Sequence, residues 1–216
     1  MNKLIYCFTY LFLLTHLTAC ADKDTVCITW SGDEAVVEGE MGDSIDVKIN
    51  GGKVCINNNY RFRDLKFVLR GNAESGSLIY KGKHKTTFEL DGLVMNSTDS
   101  IPLNFKNGKK NIIVLKNENT ITVSADTLDG ALIRTKGKLQ IDGTGSLSLR
   151  SAAVGCKGIK VGEDLVMNSG NVTIETSGNY LEVDTTAMQM PPFGDFPEGD
   201  FPGPPQGFLK VWTWTV

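Results

Sequence analysis

The sequence predicts an all-β fold, a right-handed single-stranded parallel β-helix of about four to five coils with an N-terminal β cap. Three observations carry that prediction. Between Ala131 and Thr176 one pattern is written twice: Ile133, Leu139, Ile141, Leu147 and Leu149 are answered by Ile159, Leu165, Met167, Val172 and Ile174, 26 or 25 positions later. Within each copy the apolar residues form i, i+2 pairs, the spacing of a strand's inward face and not of a helix. Gly (23 residues), Asn, Asp, Ser and Thr crowd the segments between the pairs, a composition suited to many turns. Units of this length bury their apolar faces only by stacking on one another.

The chain opens on a leader, residues 1–20. Lys3 supplies the positive start, Leu4 to Leu17 the apolar run, and Leu17-Thr18-Ala19-Cys20 the close. That tetrad resembles the bacterial lipobox, which implies that Cys20 receives diacylglycerol and becomes the first mature residue. The run is short for a membrane span. Lipidation anchors the protein to a membrane of the bacterial cell envelope, with the outer membrane expected and its face left open. An ordinary cleaved signal or an uncleaved anchor is the alternative. Asp22 and Asp24 follow as a solvated tether.

Residues 21–64 form a tether and β cap. Ile45, Val47 and Ile49 alternate, Val54 and Ile56 alternate, and Asn50-Gly51-Gly52 joins them as a hairpin turn. Such a cap covers the open end of the first coil. An oxidising compartment permits a Cys27–Cys55 disulfide, while Cys156 reads as a small corner residue.

Residues 65–186 form the coils. One column pair runs Phe67/Leu69, Phe88/Leu90, Ile112/Val114, Leu139/Ile141; a second runs Leu93/Met95, Ile121/Val123, Leu147/Leu149; a single column runs Leu78, Leu103, Ile133, Ile159. Three columns mean three strands per coil. Asp91-Gly92, Asn107-Gly108, Asp129-Gly130 and Asp142-Gly143 mark corners. The crossover rule gives the right-handed path.

Residues 187–207 break the pattern with six of the chain's seven prolines, interleaved with Phe193, Phe196 and Phe201. This is a low-complexity loop, either a plain corner loop or a contact surface for another protein. From 208 to 216 alternation returns with Val211, Trp212 and Trp214, as a terminal strand or the start of a further coil.

Phe88-Glu89-Leu90-Asp91-Gly92-Leu93, Asp129-Gly130-Ala131, Gly158-Ile159-Lys160 and Glu163-Asp164-Leu165 resemble the bacterial carbohydrate-binding parallel β-helix family once listed as a domain of unknown function. The likeness covers about half the chain. It implies polysaccharide binding at the cell surface, with calcium held by acidic corner residues, here Asp129, Glu163 and Asp164. It also implies an architectural likeness to polysaccharide lyases.

The residues themselves offer little for catalysis. His84, between Lys83 and Lys85, is the single histidine outside the leader, so a Ser-His-Asp arrangement would rest on one turn residue. No His/Cys cluster has zinc spacing. A calcium-assisted lyase would need Lys157 or Lys160 as base beside Asp129, Glu163 and Asp164. The net charge of -3 gives no basic domain for nucleic acid. For sugar recognition the candidates are Tyr80 and Tyr180 as outward aromatics with Asp129, Lys157 and Lys160, a set that favours a polar or acidic glycan. Two readings follow: a non-catalytic glycan-binding envelope lipoprotein, or a structural and adhesive envelope protein that works through the 187–207 loop.

Overall fold

The computed structural model describes residues 24–39, 41–60, 64–183, 188–189 and 210–215. The leader with Cys20, and all of the 187–207 loop except Met188–Gln189, lie outside them. Strands β1 (Thr25–Gly32), β2 (Glu34–Gly39) and β3 (Ile45–Asn50) come first, then β4 (Lys53–Asn58) and β5 (Lys66–Ala73) of the first coil. The second coil is β6 (Ser77–Lys81) and β7 (Thr86–Ser97). The third is β8 (Leu103–Phe105), β9 (Asn111–Lys116) and β10 (Glu118–Val123). The fourth is β11 (Ala131–Thr135), β12 (Leu139–Gly143) and β13 (Ser146–Ser151), and the fifth β14 (Lys157–Val161), β15 (Leu165–Met167) and β16 (Asn171–Thr176). Then come β17 (Leu181–Val183), β18 (Met188–Gln189) and β19 (Lys210–Thr215).

The strands stack as a β-solenoid of about five turns. The first face is the parallel ladder β4-β6-β8-β11-β14-β17, with β3 antiparallel at its edge. The second face is β5-β7-β9-β12-β15-β18 and the third β7-β10-β13-β16. In β5 and β7 one bent strand serves both of the last two faces. Each coil turns that bend on a left-handed residue: Gly71 (φ 92°), Gly92 (67°), Asn117 (55°), Gly143 (113°) and Gly170 (98°). At Gly143 a Cβ would stand 2.2 Å from the Leu115 carbonyl oxygen, so the preceding coil approaches too closely for any side chain.

Inside, alternation does what the sequence predicts. Leu78, Leu103, Ile133 and Ile159 are paired in register down the first face and are all fully buried. Every such side chain contributes about 1.5–3 kcal/mol of transfer free energy. The Asn50-Gly51-Gly52 hairpin forms between β3 and β4, with Gly51 at φ 57°.

Parallel stacking begins earlier than residue 65. β1 lies parallel beside β5 and β4 beside β6, so the cap consists of the antiparallel partners β2 and β3. Cys55 is a free thiol on the sheet opposite the one that carries Cys27. The Cys27–Cys55 pairing is therefore corrected. At the other end β19 pairs antiparallel with β16, placing Trp214 over Val172. It closes the third face; it does not begin a coil.

Two column assignments are also corrected. Ile113 and Leu115 are the inward residues of β9, with Asn111 beside them, and Ile112 and Val114 face out. The run Asn-Ile-Ile-Val-Leu-Lys is apolar on both parities, so a one-residue slip costs nothing in pattern and turns every side chain over. In β10, Ile121 pairs with Met95 and not Leu93. The place opposite Leu147 in that column belongs to Asn119, which is 2% exposed.

On the outside of the second face Glu89 is nearly buried, with its carboxylate 2.8 Å from Lys66 Nζ and 3.0 Å from Lys116 Nζ. Burial disfavours its charge, but the Lys66 and Lys116 hydrogen bonds outweigh burial and hold the carboxyl below its ordinary pKa. A depressed carboxylate pKa stabilises the fold above the ordinary carboxylate range, and that contribution is lost as pH falls through the folded pKa. Glu89→Gln is expected to cost about 1 kcal/mol at neutral pH. In urea titrations the gap between wild type and variant should close in acid; a gap that persists there would refute the assignment.

Candidate functional site

Residues that alternate with the buried column of the first face must point outward, and the register fixes who their neighbours are. Cys55, Ile79, Asn104, Arg134, Lys160 and Glu182 stand in one outward column through β4, β6, β8, β11, β14 and β17. Just past the strand ends a second column forms. The Lys106 amide donates to the Tyr80 carbonyl (2.7 Å), the Lys136 amide to the Phe105 carbonyl (3.0 Å) and the Gly162 amide to the Thr135 carbonyl (2.9 Å). Adjacent coils are about 4.8 Å apart. The two columns thus place Lys106, Arg134, Lys136 and Lys160 along one open groove, floored by Asn104 and Gly162.

The same corner continues basic around the edge, in Lys83 and Lys85 of one turn and Lys109, Lys110 and Lys138 of the next two. Lys85 pairs with Asp64 (3.2 Å) and Lys138 with Asp164 (2.6 Å). Among the described residues no carboxylate pairs with Lys106, Arg134 or Lys136. The chain is net acidic, yet this face is a cationic track.

At its far end Glu182 accepts hydrogen bonds from Lys157 Nζ (2.6 Å) and Lys160 Nζ, all three side chains being 25% exposed. The Lys157 and Lys160 hydrogen bonds lower the Glu182 pKa. Lys157 and Lys160 therefore share Glu182 as their partner and do not gather beside Asp129, Glu163 and Asp164.

Tyr80 is not an outward platform. It is fully buried, edge-on to Phe67 and Phe88, and its hydroxyl lies 3.0 Å from Asn58 Nδ2 and 2.9 Å from Thr86 Oγ1. Burial raises its pKa, against those two hydrogen bonds. In the strand Ser-Leu-Ile-Tyr-Lys, Tyr80 shares parity with Leu78 and so faces in. Tyr180 packs partly buried against the core, and that burial raises its phenol as well. Cys156 is buried and its thiol pKa is raised by that burial, as suits a corner residue and not a nucleophile.

The acids do not fit the calcium set that the resemblance implies. Asp129 lies on the turn into β11, at one end of the first face; Glu163 and Asp164 lie on the turn out of β14, at the other. A five-residue strand separates the two turns by roughly 15 Å at about 3.3 Å per residue, far beyond one ion with bonds of about 2.5 Å. Asp164 is already taken by Lys138. Among the described residues no three His, Cys, Asp or Glu side chains gather closely enough to hold a metal. The lyase constellation, which needs the same acids beside Lys157 or Lys160, is likewise not assembled.

Lys106, Arg134 and Lys136 are the site residues that the sequence reading missed. The signal was present: once Leu103, Ile133 and Ile159 are fixed as inward, their neighbours Asn104, Arg134 and Lys160 are outward by parity alone.

Fold and site together define a β-solenoid with a long charged face, the kind of surface that follows an extended polymer. The family described as "Carbohydrate-binding domain-containing protein" matches residues 50–188, and the chain belongs to that family. No curated protein and no solved structure matches it.

Proposed function

We propose that this chain is a non-catalytic carbohydrate-binding lipoprotein of the bacterial envelope, anchored through Cys20, whose ligand is an acidic polysaccharide laid along the first face. The family supports carbohydrate binding. The observation that carries the finer reading is the groove of Lys106, Arg134, Lys136 and Lys160, three of them without a described carboxylate partner. A polymer running along the solenoid axis meets a cation at about each 4.8 Å step, so its anionic groups are met by repeated direct contacts and no bridging calcium is needed.

The test is retention of the soluble body, residue 21 onward, on immobilised neutral, carboxylated and sulfated polysaccharides, with calcium and with chelator. Retention on the anionic matrices, unchanged by chelator and weakened by salt, is the expected result. The triple variant Lys106→Gln/Arg134→Gln/Lys136→Gln should bind roughly ten- to a hundredfold more weakly, at about 1–3 kcal/mol for the set. Retention that is equal on neutral matrices, or that requires calcium, would overturn the direct cationic contact. Release of the full chain from membranes on Cys20→Ser tests the anchor separately.

A further inference from the structure

The column Asn104, Arg134, Lys160, Glu182 is in strict register, and its last member reverses the charge. Glu182 stands one coil beyond Lys160, on the outer side of the same face, and its two oxygens take Lys157 and Lys160, one each. A carboxylate held between two ammonium groups, on the track itself, occupies the position that an anionic group of a bound polymer would take one step further along. From the geometry we infer that Lys157 and Lys160 form the terminal anion subsite of the cationic track. Glu182 is an intramolecular competitor that fills this subsite until a ligand carboxylate displaces it. The inference rests on the acidic-polysaccharide reading above.

The energetics allow the exchange. Ion pairs between partly exposed side chains are individually weak, so Glu182 holds the lysines in place without locking them. Among the described residues Lys106, Arg134 and Lys136 have no such internal partner, and they are ready for first contact. A chain seated there is carried by the solenoid's regular rise to Lys160, where its own carboxylate exchanges with that of Glu182. Each ammonium keeps a carboxylate throughout, while the displaced Glu182 carboxylate is released to solvent and loses its two partners. Binding past the fourth coil is thereby made costlier than binding to the open part of the track.

The deciding variant is Glu182→Gln, which keeps the side-chain shape and removes the competing charge. Affinity for an oligouronate, measured by calorimetry, is expected to rise about three- to tenfold, with a steeper dependence on salt because two further cations join the contact. Unchanged or weaker binding by Glu182→Gln would overturn the inference, since Glu182 would then be a support for the lysines and not their occupant. The second variant, Lys157→Gln/Lys160→Gln, should weaken binding of an oligomer long enough to span the face by a larger factor than binding of a short one; the same fold loss at both lengths would also overturn it. If the wild-type chain fails to bind oligouronate at all, the underlying reading fails. If it binds, and the Lys106/Arg134/Lys136 triple variant loses binding while Glu182→Gln is indifferent, only the competitor fails.

Discussion

Phe88→Ala is expected to lower the unfolding free energy by about 3–5 kcal/mol, or about 2–4 °C of melting temperature for each of those kcal/mol. Phe88 is fully buried, with ring centroids 4.1 Å from Phe105, 5.1 Å from Tyr80 and 5.5 Å from Phe67. These partners belong to three successive coils, so one ring carries the contact between layers that in a solenoid is the main source of cooperativity. Truncation leaves a cavity bordered by large planar side chains that cannot collapse into it without leaving their own stacking. The urea transition should also broaden, because the first coil and cap are then less tightly coupled to the rest. A loss below about 1 kcal/mol, with an unchanged slope, would show that the cluster repacks freely.

Asn119→Leu separates two readings of the same column. By pattern alone leucine should be an improvement, since Leu147 sits opposite Asn119 and Val172 opposite Leu147. The structure says otherwise. Asn119 Oδ1 accepts the Leu93 amide (2.9 Å), and its Nδ2 donates to the carbonyls of Lys116 (2.9 Å) and Ser146 (3.0 Å). One amide side chain thus fastens the second, third and fourth coils where β9 bends into β10. Leucine, which is larger and carries no polar atom, takes these partners from the Leu93 N–H and the two carbonyls, at about 2–4 kcal/mol together. Equilibrium unfolding decides between them: a variant as stable as wild type or better would reinstate the apolar column.

How far the sequence spoke depended on what occupied the columns. On the first face Leu78, Leu103, Ile133 and Ile159 are branched and regularly spaced, and the register that their spacing predicts is the register observed. On the other two faces polar residues enter the core. Asn111 and Asn119 are buried at 0% and 2% because the corner carbonyls and amides need partners, and a search for apolar pairs steps past them to the next apolar residue. The corner glycines divide in the same way. Gly92 and Gly143 take the left-handed conformation that their Asp-Gly dipeptides announced, whereas Gly108 and Gly130 do not, and Asn117 takes it with no glycine at all. The site was less legible for a different reason. Acids named by local motif turned out to lie at opposite ends of a strand, while the basic groove draws its residues from three coils and has no local motif.

The antiparallel strands at the two ends of the stack have a further meaning. β2 and β3 run against β1 and β4, and β19 runs against β16. A reversed strand presents an alternating hydrogen-bond spacing in place of the even, slanted one of the parallel ladder, so β2, β3 and β19 interrupt the parallel register where they lie, while the first and second faces run on to the parallel strands β17 and β18. Duplication or loss of a coil between these strands would leave all three of them paired as they are. The length of the basic face is then an evolutionary variable that can be changed one rung at a time.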